Sequence, residues 1–249
     1  MGTSASAKGP NSRSPLVPPW ADATPGTPVP QPEGQRFRGF RTEFGKVAGG
    51  SGGSMAKALQ KYASAATGGS SVGPRRFGPA YSAGADLIQA FSGAQLQTAS
   101  GTFDLASLAG QPMDQAAQAI AEALAPENAD SDQVRSAIQE ALAEVLGEDT
   151  TFDPTSIAPD QIVAVLVEFF SRILFQEISA VAGEAWNKAP NVERSTATEN
   201  ELLEVVRAAM DAHLSPRLSG NLGTLNRDQI AAIEQAALAD IWQAWSDAE

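Results

Sequence analysis

The chain has 249 residues, no cysteine, a single histidine and a net charge of −12. Without cysteine there are no disulfides, no thiolate metal sites and no cysteine nucleophile, which fits a reducing cytoplasm, and one histidine leaves the common zinc sites out of reach. The charge is unevenly spread: residues 1–80 hold ten Lys/Arg against three Asp/Glu, and residues 81–249 hold seven against 26. An acidic body disfavours direct nucleic-acid binding, because neutralising phosphates needs a basic surface.

The start of the chain lacks the charged and apolar regions of a secretory signal, and a membrane span is not expected. The most apolar window, 162–182, contains Glu168, Arg172 and Glu177. Residues 1–38 carry eight of the sixteen prolines. Such a stretch buries too little apolar surface to offset its ordering entropy, so a disordered Pro/Gly-rich tail is expected there. Its end-to-end distance would be on the order of 35 Å.

After the tail, residues 39–110 read as a helical region with glycine-rich loops, and 111–249 as an acidic helical body. Phe37, Phe40 and Phe44 recur at helical spacing and predict a short amphipathic turn, broken by the glycines of 49–53. Helices are expected at about 54–66 and 76–92, the second weakened by Gly84 by about 1 kcal/mol against alanine. Met113, Ala117, Ile120, Ala121 and Leu124 form one apolar stripe, and Val134, Ile138, Ala141, Leu142 and Val145 another. Pro126 ends the first and Ser131 caps the second. The two segments align at an offset of 18 residues, which convergence on good helix formers explains as simply as a repeat does.

Pro159 fits a first helical position. The helix that follows, to about 187, has almost no polar face and should be central, with Glu168 and Arg172 paired at i, i+4. Thr198-Glu-Asn-Glu201 reads as a capping box opening a helix to about 214, and Asn226-Arg-Asp-Gln229 opens the last helix. Ile230, Ile233, Ala237, Ile241 and Trp245 share a stripe on that last helix. No convincing alternating strand appears. The fold class is therefore all-α, a bundle of about seven helices around a central apolar one.

Catalytic constellations are absent. His213 falls on the stripe of Leu202, Val206, Ala209 and Met210, where a packed histidine explains it better than a base. Glu168 and Glu177 lie on opposite sides of their helix. Two glycine-rich loops, 49–53 and 68–73, precede helices, the second followed by Arg75-Arg76. They read either as phosphate sites or as plain linkers. No enzyme activity, metal or resident cofactor is expected. A hydrolase or nucleotide-binding enzyme stays as the least favoured alternative.

The first residues are a different matter. Met1-Gly-Thr-Ser-Ala-Ser formally fits a myristoylation pattern, but no polybasic patch adjoins it and one acyl chain anchors weakly. A small second residue permits loss of Met1 and exposes the amine of Gly2. With a pKa near 8, an α-amine is partly unprotonated and nucleophilic at neutral pH. The thin, uncharged run that follows suits a narrow enzyme channel, and an ordinary unstructured start accounts for it equally.

Met1-Gly-Thr-Ser-Ala-Ser, Ser14-Pro-Leu-Val-Pro-Pro-Trp-Ala-Asp22, Gln35-Arg-Phe-Arg-Gly-Phe-Arg41, Lys61-Tyr-Ala-Ser-Ala-Ala-Thr-Gly-Gly69 and Arg75-Arg-Phe-Gly78 together resemble the QatB family of bacterial Qat anti-phage defence systems. The resemblance is specific over about residues 1–80 and generic beyond. It implies a non-enzymatic component that accompanies an ATPase, a QueC-like enzyme and a TatD-like nuclease. It further implies that the QueC-like partner joins a 7-deazaguanine to the N-terminal amine, here that of Gly2, as a covalent adduct. Thr3 and Ser4, with Pro15, Leu16, Val17, Pro18, Pro19 and Trp20, are then expected to bind partners. A rigid polyproline segment ending in tryptophan docks at low entropic cost, or else it is a spacer whose Trp20 packs on the body. A structural adaptor with an unmodified tail is the alternative function.

Overall fold

The computed structural model describes residues 9–11, 13–98, 101–148, 150–220 and 222–248. Among them are eight α-helices: α1 (Arg38–Ala48), α2 (Met55–Lys61), α3 (Gly78–Phe91), α4 (Met113–Leu124), α5 (Ser131–Leu146), α6 (Pro159–Ala182), α7 (Val192–Leu218) and α8 (Arg227–Asp247). The all-α class is confirmed. The only sheet among the described residues is a hairpin of β1 (Leu96–Thr98) and β2 (Gly101–Phe103). Strands of three residues are too short to show an alternating pattern. The chain divides into two compact units, one of 1–76, 174–208 and 238–249, the other of 77–173 and 209–237. Chain order does not set this division, because α6, α7 and α8 each contribute to both.

Several helix starts follow from local chemistry. Asn226 and Gln229 form a reciprocal capping box, each side-chain oxygen accepting from the other's backbone N–H at 2.9 Å. Ser54 accepts from Lys57 N–H to open α2, which continues as a π-helical turn over Tyr62–Ala66. Pro159 is the first residue of α6. The expected box at Thr198 is not a helix start. There α7 begins at Val192, with Asn191 Oδ1 accepting from Arg194 N–H at 2.9 Å. Thr198 is fully buried and its hydroxyl donates to Arg194 O. The side chain is short enough to bond back into its own helix, so a helix already running absorbs the motif. The α7 stripe continues from Met210 to Leu214, leaving His213 half-buried at its margin. Pro126 does end its helix, whereas α5 starts at Ser131 itself, one residue earlier than a Ser131 cap requires, with Asp130 in the cap position.

In the first unit, Phe40 and Phe44 of α1 are completely buried. Phe44 meets Trp186 edge to face at 4.7 Å, and Phe40 lies 5.5 Å from Tyr62, which in turn stacks near Trp242. The short turn expected here is thus a helix of eleven residues, because this aromatic cluster supplies the tertiary burial that an isolated turn lacks. Trp242 donates to Thr67 Oγ1 at 2.8 Å.

In the second unit, α4 packs along α5, with Ile120 and Ile138 fully buried. Arg172 of α6 gathers Glu168, Glu140 and Glu144, at 2.6, 3.0 and 3.5 Å. The expected Glu168–Arg172 pair is therefore part of a network. Glu234 of α8 is wholly buried, and neither of its carboxylate oxygens has a hydrogen-bond partner. Burial pushes its pKa well above the ordinary carboxylate range; nearby Asp86 adds to this and Arg227 opposes it. A Cβ on Gly84 would lie 2.5 Å from Glu234 Oε1 and 3.0 Å from Leu166 and Phe170.

Two predictions follow from this packing. Replacing a mid-helix glycine by alanine ordinarily gains up to about 1 kcal/mol, but overpacking costs about 1–3 kcal/mol. We expect Gly84→Ala to lower stability by about 1–2 kcal/mol in urea denaturation, the crowded site outweighing the helix propensity. Glu234 holds its proton in the folded state and releases it on unfolding near the ordinary carboxylate value. Its contribution to stability is therefore greatest at acid pH and declines as pH rises above the ordinary carboxylate value toward the raised one. Relative to Glu234→Gln, the protein should lose up to about 1.4 kcal/mol per pH unit over that interval. Parallel pH profiles for the two proteins would refute the assignment.

Candidate functional site

Gly2, Thr3 and Ser4 lie outside the described residues. The rest of the expected site, residues 15–20, belongs to a strap over 13–37 that carries no helix or strand before α1 begins at Arg38. Over the described residues 13–37 the structure differs from the expected disordered tail of 1–38. Composition excludes regular structure here, yet the strap is tied down by side chains from elsewhere in its own unit.

Leu16 and Val17 are each 6% exposed and form an apolar cluster with Val72. Ala21 and Phe37 are buried as well. Proline lacks an N–H, but every residue in the strap still presents a carbonyl that needs a donor. Arginines supply them. Arg75, nearly buried, grips Asp22 through both carboxylate oxygens at 2.7 and 3.1 Å and also donates to the carbonyls of Thr24, Thr27 and Pro28. Ala23 N–H returns a bond to Arg75 O at 2.7 Å. Arg36 donates to Pro15 O and lies over the Phe37 ring at 4.5 Å. Arg41 donates to Pro10 O at 2.7 Å and to Val181 O at 2.8 Å.

Two sequence readings are settled by this geometry. The Arg75-Arg76 pair after the second glycine-rich loop is spent inside the fold, Arg75 on the strap and Arg76 on Glu177 at 2.6 Å. It is not a phosphate cradle. The expected partner-binding segment splits in two: Leu16 and Val17 are consumed internally, whereas Pro15 and Pro19 are exposed and Trp20 is 52% exposed. The signal for this anchoring was the basic bias of the first 80 residues, which could fold back within the protein or equally serve an external anion.

The same strap leads to a groove of about 750 Å³ lined by Arg38, Arg41, Thr42 and Lys46 of α1, Ser51, and Glu184, Asn187 and Lys188 of the 3-10 helix Gly183–Lys188. Gly45 lets that 3-10 helix approach α1 closely, since a Cβ there would stand 3.3 Å from Lys188 Cγ. Arg41, one of its lining residues, also holds Pro10.

The Arg75 guanidinium holds the Asp22 carboxyl below the usual carboxylate range. The pair's stabilisation is therefore complete above about pH 4 and is lost as pH falls through the depressed value. Asp22→Ala leaves a buried guanidinium without its counter-ion and should cost about 3 kcal/mol. Hydrogen exchange at the Ala23 amide should accelerate with it. Glu33→Ala, at an exposed strap position, should stay within about 0.5 kcal/mol of the parent.

No helix among the described residues is long and apolar enough to cross a membrane. No curated protein and no solved structure matches the chain. A family model described as Qat anti-phage system associated protein QatB matches residues 68–245. That span contains the helical body and only the last of the motifs quoted for the resemblance, from Gly68 to Gly78, so the body is as much a family feature as the N-terminal motifs. The chain belongs to the QatB family and is a component of the Qat anti-phage defence system.

Proposed function

We propose that this protein is a non-enzymatic component of its defence system. Its N-terminal amine is acylated with a 7-deazaguanine by a QueC-like partner, and its helical body docks that enzyme, the ATPase and the TatD-like nuclease. Family membership supports the setting. The observation that carries the N-terminal assignment is the strap. It fixes the chain at Pro10 through Arg41. The eight residues Gly2–Gly9 can then extend about 26–29 Å. That length brings an amine into a partner's active site while the body remains docked.

The chemistry balances without a catalytic group here. The partner activates a deazaguanine carboxylate as its adenylate. The unprotonated Gly2 amine attacks the acyl carbon, the N–C bond forms, the bond to the phosphate oxygen breaks, and AMP leaves while the amine proton passes to solvent or a base of the partner. The pKa of an α-amine, near 8, keeps part of it nucleophilic at neutral pH. Exposed Pro19 and Trp20 are the portion of the strap left for partner recognition. Internal burial of Leu16 and Val17 favours a second reading, in which the strap serves the body alone and the protein is an unmodified adaptor. The cytoplasm, where both ATP and the defence components are at hand, is the proposed location.

Intact-mass and N-terminal peptide spectrometry separate these readings. Protein co-produced with its neighbouring components should lack Met1 and carry one deazaguanine-acyl mass on Gly2, and protein produced alone should not. An unmodified Gly2 beside an active partner would leave the adaptor reading standing.

A further inference from the structure

We propose that the groove between α1 and the 3-10 helix Gly183–Lys188 binds a phosphate-bearing ligand. Arg38, Arg41, Thr42 and Lys46 recur at i, i+3, i+4 and i+8 of α1 and so share a face. Asn187 and Lys188 line the groove from the 3-10 helix. Four cations therefore line one concavity in a protein of net charge −12.

Part of this donor set is unspent. Lys188 has no ion pair or hydrogen bond among the described residues, and the same holds for the side chains of Thr42 and Asn187. Arg38 reaches only Gln35 Oε1, at 3.2 Å. By contrast Arg41 is engaged with two carbonyls, with Glu184 nearby, and Lys46 holds Glu43 at 3.1 Å. After Glu43 and Glu184 are counted against the four cations, an excess of two positive charges remains.

Ammonium, guanidinium, amide and hydroxyl donors converging on one space match a group that offers several charged acceptor oxygens. A phosphoryl group does so, and arginine and lysine are the usual partners for it. The volume, about 750 Å³, admits a nucleotide as well as a simple phosphate. No aromatic side chain lines the groove, so recognition rests on the phosphates, with no stacked base.

Titration calorimetry on the full chain at low ionic strength tests this, with inorganic pyrophosphate in one arm and magnesium-free ATP in the other. Saturable 1:1 binding is expected for both, and Arg38→Gln with Lys188→Gln should weaken it about tenfold or more, the loss of at least one charge-assisted contact. Lys57→Gln, on α2 and outside the groove, should leave it unchanged. Equal affinity in the two arms assigns the groove to the phosphates alone, and tighter ATP binding adds a nucleoside contact. Absence of saturable binding in both arms, or equal weakening by Lys57→Gln, overturns the proposal. Circular dichroism of each variant confirms folding. The readout is independent of whether Gly2 is modified.

Discussion

The guanidinium of Arg75 is the constraint on which the first unit depends. A proline-rich segment can join neither a helix nor a ladder, so its carbonyls must be satisfied one at a time. Arg75 satisfies three of them while Asp22 neutralises its charge. Arg36 and Arg41 do the same at Pro15 and Pro10. With the backbone polar groups matched, Leu16 and Val17 can be buried on Val72, and Pro10 is tied to Arg41, a residue of the groove beside α1. A segment with the composition of a tether thus becomes part of a fixed surface, because long side chains from the folded region bring donors that the segment lacks.

Charge reads differently along the chain and in space. By position, the first third is basic and the remainder acidic. By unit, the first has thirteen basic against twelve acidic residues and the second four against seventeen. Within that unit Lys46, Arg75 and Arg76 are paired with Glu43, Asp22 and Glu177, and Arg36 and Arg41 donate to carbonyls. The net field of the molecule is set by the second unit. That field repels polyanions such as nucleic acid, so a small anion is held only where cations are gathered on one helix face and left unspent, as beside α1.

Much of the fold was legible because it is local. The capping box at Asn226 and Gln229, the first-turn proline of α6 and the near-continuous apolar run behind it each depend on neighbours within one or two turns. Where sequence reasoning failed, the deciding contact lay outside the motif that was read, a few residues upstream in one case and far along the chain in another. The Thr198 box failed because Asn191 had already started the helix. Glu234 was missed on the α8 stripe although its spacing from Ile230 is i+4, a position that fits the stripe's period; its burial depends on Gly84 of α3, 150 residues away. The candidate site was half legible: the N-terminal motifs pointed to the right family, but the family match rests on the helical body.

By itself the sequence determined the all-α class, the places where most helices begin, the absence of cysteine chemistry and the family to which the chain belongs. The first three follow from composition, periodicity and caps, all short-range properties, and the family from the motifs of residues 1–80 that carry the resemblance. Only the tertiary structure decided that the proline-rich strap over 13–37 is bound down, that Leu16 and Val17 face inward, that Arg75 and Arg76 are spent, and that Lys188 and Arg38 line one groove. Each of those joins residues dozens to more than a hundred positions apart, and side-chain hydrogen bonding at such separations leaves no periodic trace in the sequence.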